Sequence, residues 1–401
     1  MSKPLALILG YVFIDVLGFS LILPLLPFYA ESLNASPATV GLLLGANALT
    51  QLIGAPLIGR LSDRYGRRPM LIVSIAGTVV SFVMLGLAKS LPVLFASRIL
   101  DGFLGGNISL AQAYITDVTD EKSRAKGLGL IGAAFGFGFI FGPAIGGTLS
   151  AGGNYALPSL AAAALSAVNL LGVLLFLPES LPTEQRAARE QMSRPEISLR
   201  ALWQALSRPC VGPLLSFGLF YGLAFTMFQT IFALFVKERL DLGVQPTSYI
   251  LAYVGLLIVA VQGGAIGLLV KRFSDKQLIM GGSIVLSLSL AAWAATSSIW
   301  LLLIVLAPLA LSGGVLGVVG NSALTKSVYP QEVGGTLGLS SAFASLARVI
   351  SPIMGGFLID HLGPAAPGIA GAAIMGSMIV FVWRRILFVP DLSCPPPAKS
   401  L

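Results

Sequence analysis

Charge is scarce in this chain. Only 10% of its residues are Asp, Glu, Lys or Arg, whereas 56% are hydrophobic; a soluble domain carries about 25% charged residues. Histidine occurs once, at His361, and cysteine twice, at Cys210 and Cys394. Those counts are too small for a disulfide framework or a Cys/His metal cluster. They also leave no constellation for a membrane-embedded catalyst, so no enzyme activity, metal or cofactor is expected. The phosphate-cradling pattern G-x-x-x-x-G-K-[ST] is missing too, which argues against an ATP-driven pump.

What the chain does have is long apolar runs. Roughly 20 apolar residues cross a bilayer as a helix, and twelve such spans are expected, near 5–28, 37–60, 70–88, 92–115, 126–150, 155–178, 210–236, 246–270, 277–295, 299–325, 334–358 and 366–388. The fold class is therefore an all-α, multi-pass membrane protein whose first partner is the lipid bilayer. The first run is too long for a cleavable signal peptide and holds Asp15 and two prolines. With the N-terminus assigned to the cytoplasm, 20 Lys and Arg fall on that side, against 3 outside (Lys89, Lys237, Arg239) and 2 within spans (Arg98, Arg348). The positive-inside rule then puts both termini in the cytoplasm. The net charge of +8 reports topology and is not a footprint for nucleic acid.

Between Glu179 and Pro209 the chain turns polar. Leu199, Leu202, Trp203 and Leu206 fall there at helical spacing and predict a short amphipathic helix on the inner membrane face. The expected organisation is an N-terminal six-helix bundle over 1–178, a cytoplasmic linker over 179–209, and a C-terminal six-helix bundle with a short tail over 210–401. The halves repeat. "GPAIGG" (Gly142 to Gly147) returns as "SPIMGG" (Ser351 to Gly356) with the prolines 209 apart, and "GRLSDRYGRR" (Gly59 to Arg68) returns as "GLLVKRFSDK" (Gly267 to Lys276), 208 apart. Two matches at nearly one offset argue for duplication and two pseudo-symmetric bundles, the layout of many secondary transporters with a midplane site. A receptor does not require it.

The stretch joining spans 2 and 3 presents Gly59, Asp63, Arg64, Gly66, Arg67 and Arg68 in the order G-x-x-x-D-R-x-G-R-R. A tight turn with topology-fixing positives would account for part of it. The full order resembles the signature loop of the major facilitator superfamily, where it latches the cytoplasmic gate. On that resemblance Asp63 sits at the positive N-terminal end of span 11, Arg67 pairs with Asp117 at the end of span 4, and Gly59 lets helices approach closely. "RILDGFLGG" in span 4 matches the superfamily's R-x-x-x-G pattern at Arg98 and Gly102. "GFGFIFGPAIGG" in span 5, with Gly138, Gly142, Pro143, Gly146 and Gly147, resembles the Gly-Pro motif of its proton-coupled antiporters. Close helix packing would use the same glycines. Over spans 1 to 6 the chain is similar to the tetracycline/proton branch of twelve-span drug antiporters, and over the second half only loosely. The resemblance implies a monomeric carrier in the plasma (bacterial inner) membrane.

Asp15 stands alone among apolar residues in span 1, and a carboxylate at a helix centre costs about 2.5–3.5 kcal/mol to insert. Two readings stand. It carries a proton between the two sides, or it is a structural acid hydrogen-bonded to a polar neighbour such as Asn47 or Gln51. Arg98 and Asp101, three apart on one helix face, form either a proton-sensitive switch or a permanent ion pair. The resembling tetracycline exporters carry a further acid in span 3, where this chain has Ser81, and another in span 9, which here has none. Tetracycline itself is therefore a doubtful substrate.

Span 7 carries Phe217, Tyr221, Phe225, Phe228, Phe232 and Phe235 at steps of 3 or 4, a stripe suited to packing or to binding. Tyr221, Phe225, Met227 and Gln229, together with Asn107, Gln112 and Arg348, are the candidates for contacting a small amphipathic substrate. The expected function is proton-coupled efflux by alternating access. The competing function is a symporter or facilitator for small organic anions, bound by Arg98 and Arg348.

Overall fold

The computed structural model describes residues 3–182, 184, 186 and 199–388. The linker stretch 187–198 and the tail beyond 388, counted above as cytoplasmic, lie outside the described residues. Every long element is a helix. In chain order they are α1 (Lys3–Ile22), α2 (Leu25–Ser32), α3 (Pro37–Tyr65), α4 (Arg67–Gly86), α5 (Leu91–Leu104), α6 (Asn107–Val118), α7 (Glu121–Leu149), α8 (Ala156–Phe176), α9 (Leu199–Leu206), α10 (Val211–Leu240), α11 (Val244–Ala260), α12 (Ile266–Arg272), α13 (Asp275–Ala294), α14 (Ile299–Lys326), α15 (Val333–Leu362) and α16 (Ala366–Val382). A π-helical turn, Val261–Ala265, joins α11 to α12 as one span.

Among the described residues eleven helices are long and apolar enough to cross a membrane. The twelfth span is present in two pieces. Span 4, expected as one run over 92–115, breaks at Gly105 and Gly106 into α5 and α6. Span 1 also ends early: α1 stops at Ile22, and α2 starts anew after Pro24, whose ring and missing N–H interrupt the helix ladder. Elsewhere the ends are set by local chemistry. Ser36 caps α3, its Oγ accepting from the Thr39 N–H at 3.3 Å, with Pro37 next in the first turn. Ser274 and Gln277 form a capping box on α13.

The chain divides into two compact units, residues 1–194 with 241–256 and residues 195–240 with 257–401. In the first, α1 packs on α7 and α8, and α4 on α8 and α5. In the second, α10 packs on α15 and α16, and α13 on α16 and α14. Spans 1, 3, 4, 5 and 6 thus pair as spans 7, 9, 10, 11 and 12 do, which is the pseudo-symmetry the sequence repeat predicts.

Glycines decide the α1–α7 contact. A Cβ at Gly142 would overlap Ser20 Oγ, and one at Gly146 would overlap the carbonyl oxygen of Leu21. Only hydrogen in those places lets the backbones come this close, and Ser20 Oγ then donates to the Gly138 carbonyl at 2.7 Å. On its other side α7 meets the first part of α11, where Gly147 lies against Ser248 and Gly255 against the Phe139 carbonyl. Pro143 sits inside α7 without ending it. The second unit repeats the device: Gly355 lies against Ile231, and Ser351 Oγ donates to the Leu223 carbonyl at 2.9 Å.

The aromatic stripe of span 7 proves to be mostly core. Phe217, Phe228, Phe232 and Phe235 are fully buried, and Trp293 of α13 meets Phe228 edge-on, stacks with Phe232 and tilts against Phe235 at ring-centroid separations of 4.6–6.4 Å.

Two substitutions in α7 are expected to act with opposite sign. Gly146→Ala forces α1 outward and costs about 1–3 kcal/mol as an overpacked contact. Gly132→Ala, whose Cβ would meet nothing within 4 Å, gains helix propensity worth up to about 1 kcal/mol. Thermal unfolding of the purified variants in detergent checks both.

Candidate functional site

The first unit holds its ionisable residues at membrane depth in two hydrogen-bonded groups, one around Asp15 and one around Arg98 and Asp101. Asp15 on α1 accepts from Asn107 Nδ2 at 2.6 Å. The sequence leaves this partner open. Asn47 and Gln51 are both occupied elsewhere, Gln51 donating to the Gly105 carbonyl at 3.2 Å. Asn107 reaches Asp15 because span 4 is broken, which makes it the first residue of α6, where the turn at Gly105–Gly106 swings it towards α4. There Ser74 Oγ lies in contact with Asn107 Oδ1, and Thr78 Oγ1 lies 3.4 Å from its Nδ2. Asn107 is buried, and its amide is taken up by Asp15, Ser74 and Thr78.

Arg98 on α5 is 3% exposed. Its Nη1 lies 3.4 Å from Asp101 Oδ2, its Nη2 donates to Ser81 Oγ at 3.0 Å, and its guanidinium sits 5.6 Å over the Phe82 ring. Asn47 Nδ2 bridges the pair, donating to Asp101 Oδ2 at 3.2 Å and to the Arg98 carbonyl at 2.9 Å. Ser81, the residue standing where the resembling exporters have an acid, therefore receives the guanidinium as a neutral hydroxyl. Asp15 and Asp101 are near enough to repel one another when both are charged. The guanidinium pairs with Asp101 alone, and Asp15 is held by an amide.

At the α3–α4 turn the signature residues assemble differently from their names. Gly66 has φ +106°, a conformation only glycine adopts easily. Asp63 and Arg67 are buried. Arg67 Nη2 lies 2.7 Å from Asp63 Oδ1 and its Nε 3.1 Å from Asp117 Oδ2, so the expected Arg67–Asp117 pair forms. A Cβ at Gly59 would touch nothing within 4 Å, so the close approach expected there is not made. Arg64 is exposed, its guanidinium 5.5 Å over the Tyr65 ring. Arg68 Nη2 donates to the Leu174 carbonyl at 2.6 Å.

Sequence reading missed Glu179. Its Oε1 accepts from the backbone N–H groups of Arg67, Ser180 and Leu181 at 2.9–3.1 Å, and its Oε2 from that of Arg68 at 3.2 Å. A carboxylate on the first N–H groups of α4 satisfies donors that the helix cannot. Its only signal in the sequence was an acid closing an apolar run.

The second unit answers with a reversed brace. Asp275 at the start of α13 lies 2.7 Å from Lys326 at the end of α14. These positions fall 208 and 209 residues after Arg67 and Asp117, the offsets of the repeat, so the same ion pair recurs with its charges exchanged.

The remaining candidates scatter. Tyr221 donates to the Gly313 carbonyl at 2.7 Å, and the Phe225 ring rests on Gly313. Met227 is 1% exposed, packed against Gly355 and Gly371; like Asn107, it is taken up by packing. Gln229 is half-buried, and Gln112 and Arg348 are exposed.

Two pseudo-symmetric helical units, with a charged cluster held in one of them at membrane depth, define a polytopic carrier. The chain belongs to the Major Facilitator Superfamily, whose sequence profile matches residues 8–284 and 261–399. It is 32% identical over 356 residues to tetracycline resistance protein, class C, of Escherichia coli, covering 88% of this chain and 89% of that protein. It is 28% identical to multidrug resistance protein 2 of Bacillus subtilis, covering 94% of each. The crystal structure of the human organic anion transporter MFSD10 (TETRAN) shares the fold at a TM-score of 0.68 and 21% identity, over 95% of this chain and 99% of that one.

The two braces differ in burial, which sets their worth. Asp117→Asn is expected to cost about 3–5 kcal/mol, because it strands part of the charge of a buried Arg67. Lys326→Gln, removing a side chain that is 61% exposed, is expected to cost about 1 kcal/mol or less. Thermal unfolding in detergent separates the two. Glu179→Gln, which keeps the shape and removes the charge from four amide contacts, is expected to lower stability by about 1–3 kcal/mol in the same measurement.

Proposed function

We propose that this protein is a proton-coupled exporter of amphipathic small molecules, multi-pass in a bacterial plasma (inner) membrane with both termini cytoplasmic. The observation that carries this reading is the charge count in the first unit. Asn107, with Ser74 and Thr78 behind it, holds Asp15, and Asn47 and Ser81 hold the Asp101–Arg98 pair in the same unit. Two carboxylates and one guanidinium are electrically neutral only with one proton bound, and uncompensated charge is costly at this depth. A proton taken up from one side and released to the other lets these three residues alternate between neutral and charged states. Arg98 and Asp101 form the switchable pair and Asp15 the second acceptor.

The relatives support the direction of transport, since two of them are named for resistance to tetracycline and to multiple drugs. Ser81 in contact with Arg98, and a span 9 without acids, support a substrate range different from that of tetracycline exporters. The glycine contacts of α7 on α1 and α11 give the Gly-Pro motif a packing role in the cycle, and the loop holding Asp63 latches the cytoplasmic side. Transport proceeds by alternating access, with the monomer as the working unit.

A symporter or facilitator for small organic anions is the second reading. Arg348, a cation at the middle of α15, favours it, as does the shared fold with an organic anion transporter. Counterflow in vesicles at imposed pH gradients discriminates the two.

In proteoliposomes with an imposed pH gradient, and with an amphipathic compound that the parent protein exports in the same assay, Asp15→Asn and Asp101→Asn are each expected to slow driven export by about tenfold or more, as for groups that carry the coupled proton. The unfolding temperature of Asp15→Asn is expected to stay close to the parent's, and that of Asp101→Asn to fall, because it leaves the buried Arg98 without its ion-pair partner. Normal gradient-driven export in both variants would remove the proton assignment.

A further inference from the structure

In the second unit the membrane-depth charge has no ion-pair partner among the described residues. Arg348 lies fifteen residues from Val333 and fourteen from Leu362 in α15, about 21–22 Å along the axis from either end. The hydrocarbon core extends only about 15 Å from its midplane, so the side chain cannot snorkel to either headgroup layer. Its Nη2 donates to Ser345 Oγ at 2.7 Å. No carboxylate of the described residues lies within ion-pair distance of it, and the acids of α10–α15 sit towards helix ends, at Glu238, Asp275 and Asp360.

The face that carries Arg348 differs in composition from the rest of the exposed surface of α15. Gly334, Gly338, Ser341, Ser345 and Arg348 recur at steps of 4 and 3, which places them on one side of α15. Ser341 and Arg348 are exposed there. Of the large apolar residues exposed on the same helix, Leu346, Ile350 and Phe357 lie about half a turn round, and Leu362, the last residue of the helix, lies nearer the Arg348 side. That second side is the one suited to acyl chains. α15 therefore shows two uncovered faces, one greasy and one made of glycine, serine and a single cation.

We infer that Arg348, oriented by Ser345, is a binding residue for the anionic head of the transported molecule, so that the substrate class is amphipathic organic carboxylates. The inference rests on the transporter reading and narrows it. A guanidinium offers two parallel N–H donors to a carboxylate, and one of its corners is already fixed by the serine. In Asp15, Asp101 and Arg98 the first unit holds its own countercharges. Here the countercharge must come with the ligand.

The test is binding in nanodiscs of zwitterionic lipid without any pH gradient, so its failure is distinct from failure of proton coupling. The probes are matched pairs differing only at the head: 1-naphthoate and 1-naphthamide, indole-3-butyrate and its amide, dansyl-leucine and its amide. Titration by tryptophan fluorescence is expected to show about tenfold tighter binding of the carboxylate in at least one pair, the size of a hydrogen bond to a charged group. The preference is expected to vanish in Arg348→Gln and to survive in part in Arg348→Lys, which keeps the positive charge. Equal affinity within every pair for the parent protein, or a preference that persists in Arg348→Gln, would overturn the assignment. Loss of the preference on adding phosphatidylglycerol to the discs would give the site to a lipid headgroup and overturn it as well.

Discussion

A charged side chain held in hydrocarbon must find its counter-charge inside the protein, in a bound proton or in a ligand. The arrangement of this molecule follows from that demand. In the first unit it is met by hydrogen bonds from four helices converging on Asp15, Asp101 and Arg98. The break in span 4 belongs to the same solution. An unbroken helix would fix Asn107 by the register of α5, whereas the interruption at Gly105–Gly106 lets it reach α1 and α4 together.

The cytoplasmic turn obeys the same rule at the membrane surface. Buried Arg67 is shared between Asp63 and Asp117, and Glu179 holds the amide groups at the head of α4. Duplication preserved the geometry of this brace while letting its signs change, because an ion pair between the start of one helix and the end of the next works in either polarity. Asp275 and Lys326 show that the repeat conserves a bond more faithfully than it conserves residues.

Much of this was legible in the sequence, and the limits have physical causes. Apolar run length located the spans, since a bilayer imposes one length on all helices, and Arg67 with Asp117 was named beforehand through the signature loop. Pro24 and the Gly105–Gly106 break were not read as helix ends, because hydropathy averages across a single turn. The partner of Asp15 stayed open in the sequence, with Asn47 and Gln51 as examples, because several amides lie within reach by register alone and only the packing selects one. Met227 looked like a candidate contact, and the phenylalanine stripe stood open between packing and binding, because one-dimensional periodicity does not distinguish a face turned to a cavity from one turned to Trp293. Glu179 had no motif to announce it. Its role arises from where α8 ends relative to α4.

The boundary between the two units does not coincide with the polar linker. Residues 241–256, the beginning of α11, belong with the first unit, where Ser248 and Gly255 close against Gly147 and Phe139 of α7. A chain severed in the linker would therefore yield an amino-terminal fragment lacking part of its own wall, with the glycine side of α7 left bare to lipid. The pieces would have to meet before either was complete. Ribosomal synthesis of the first six spans alone leaves the same vacancy, so the nascent unit finishes folding only after the eighth has been inserted.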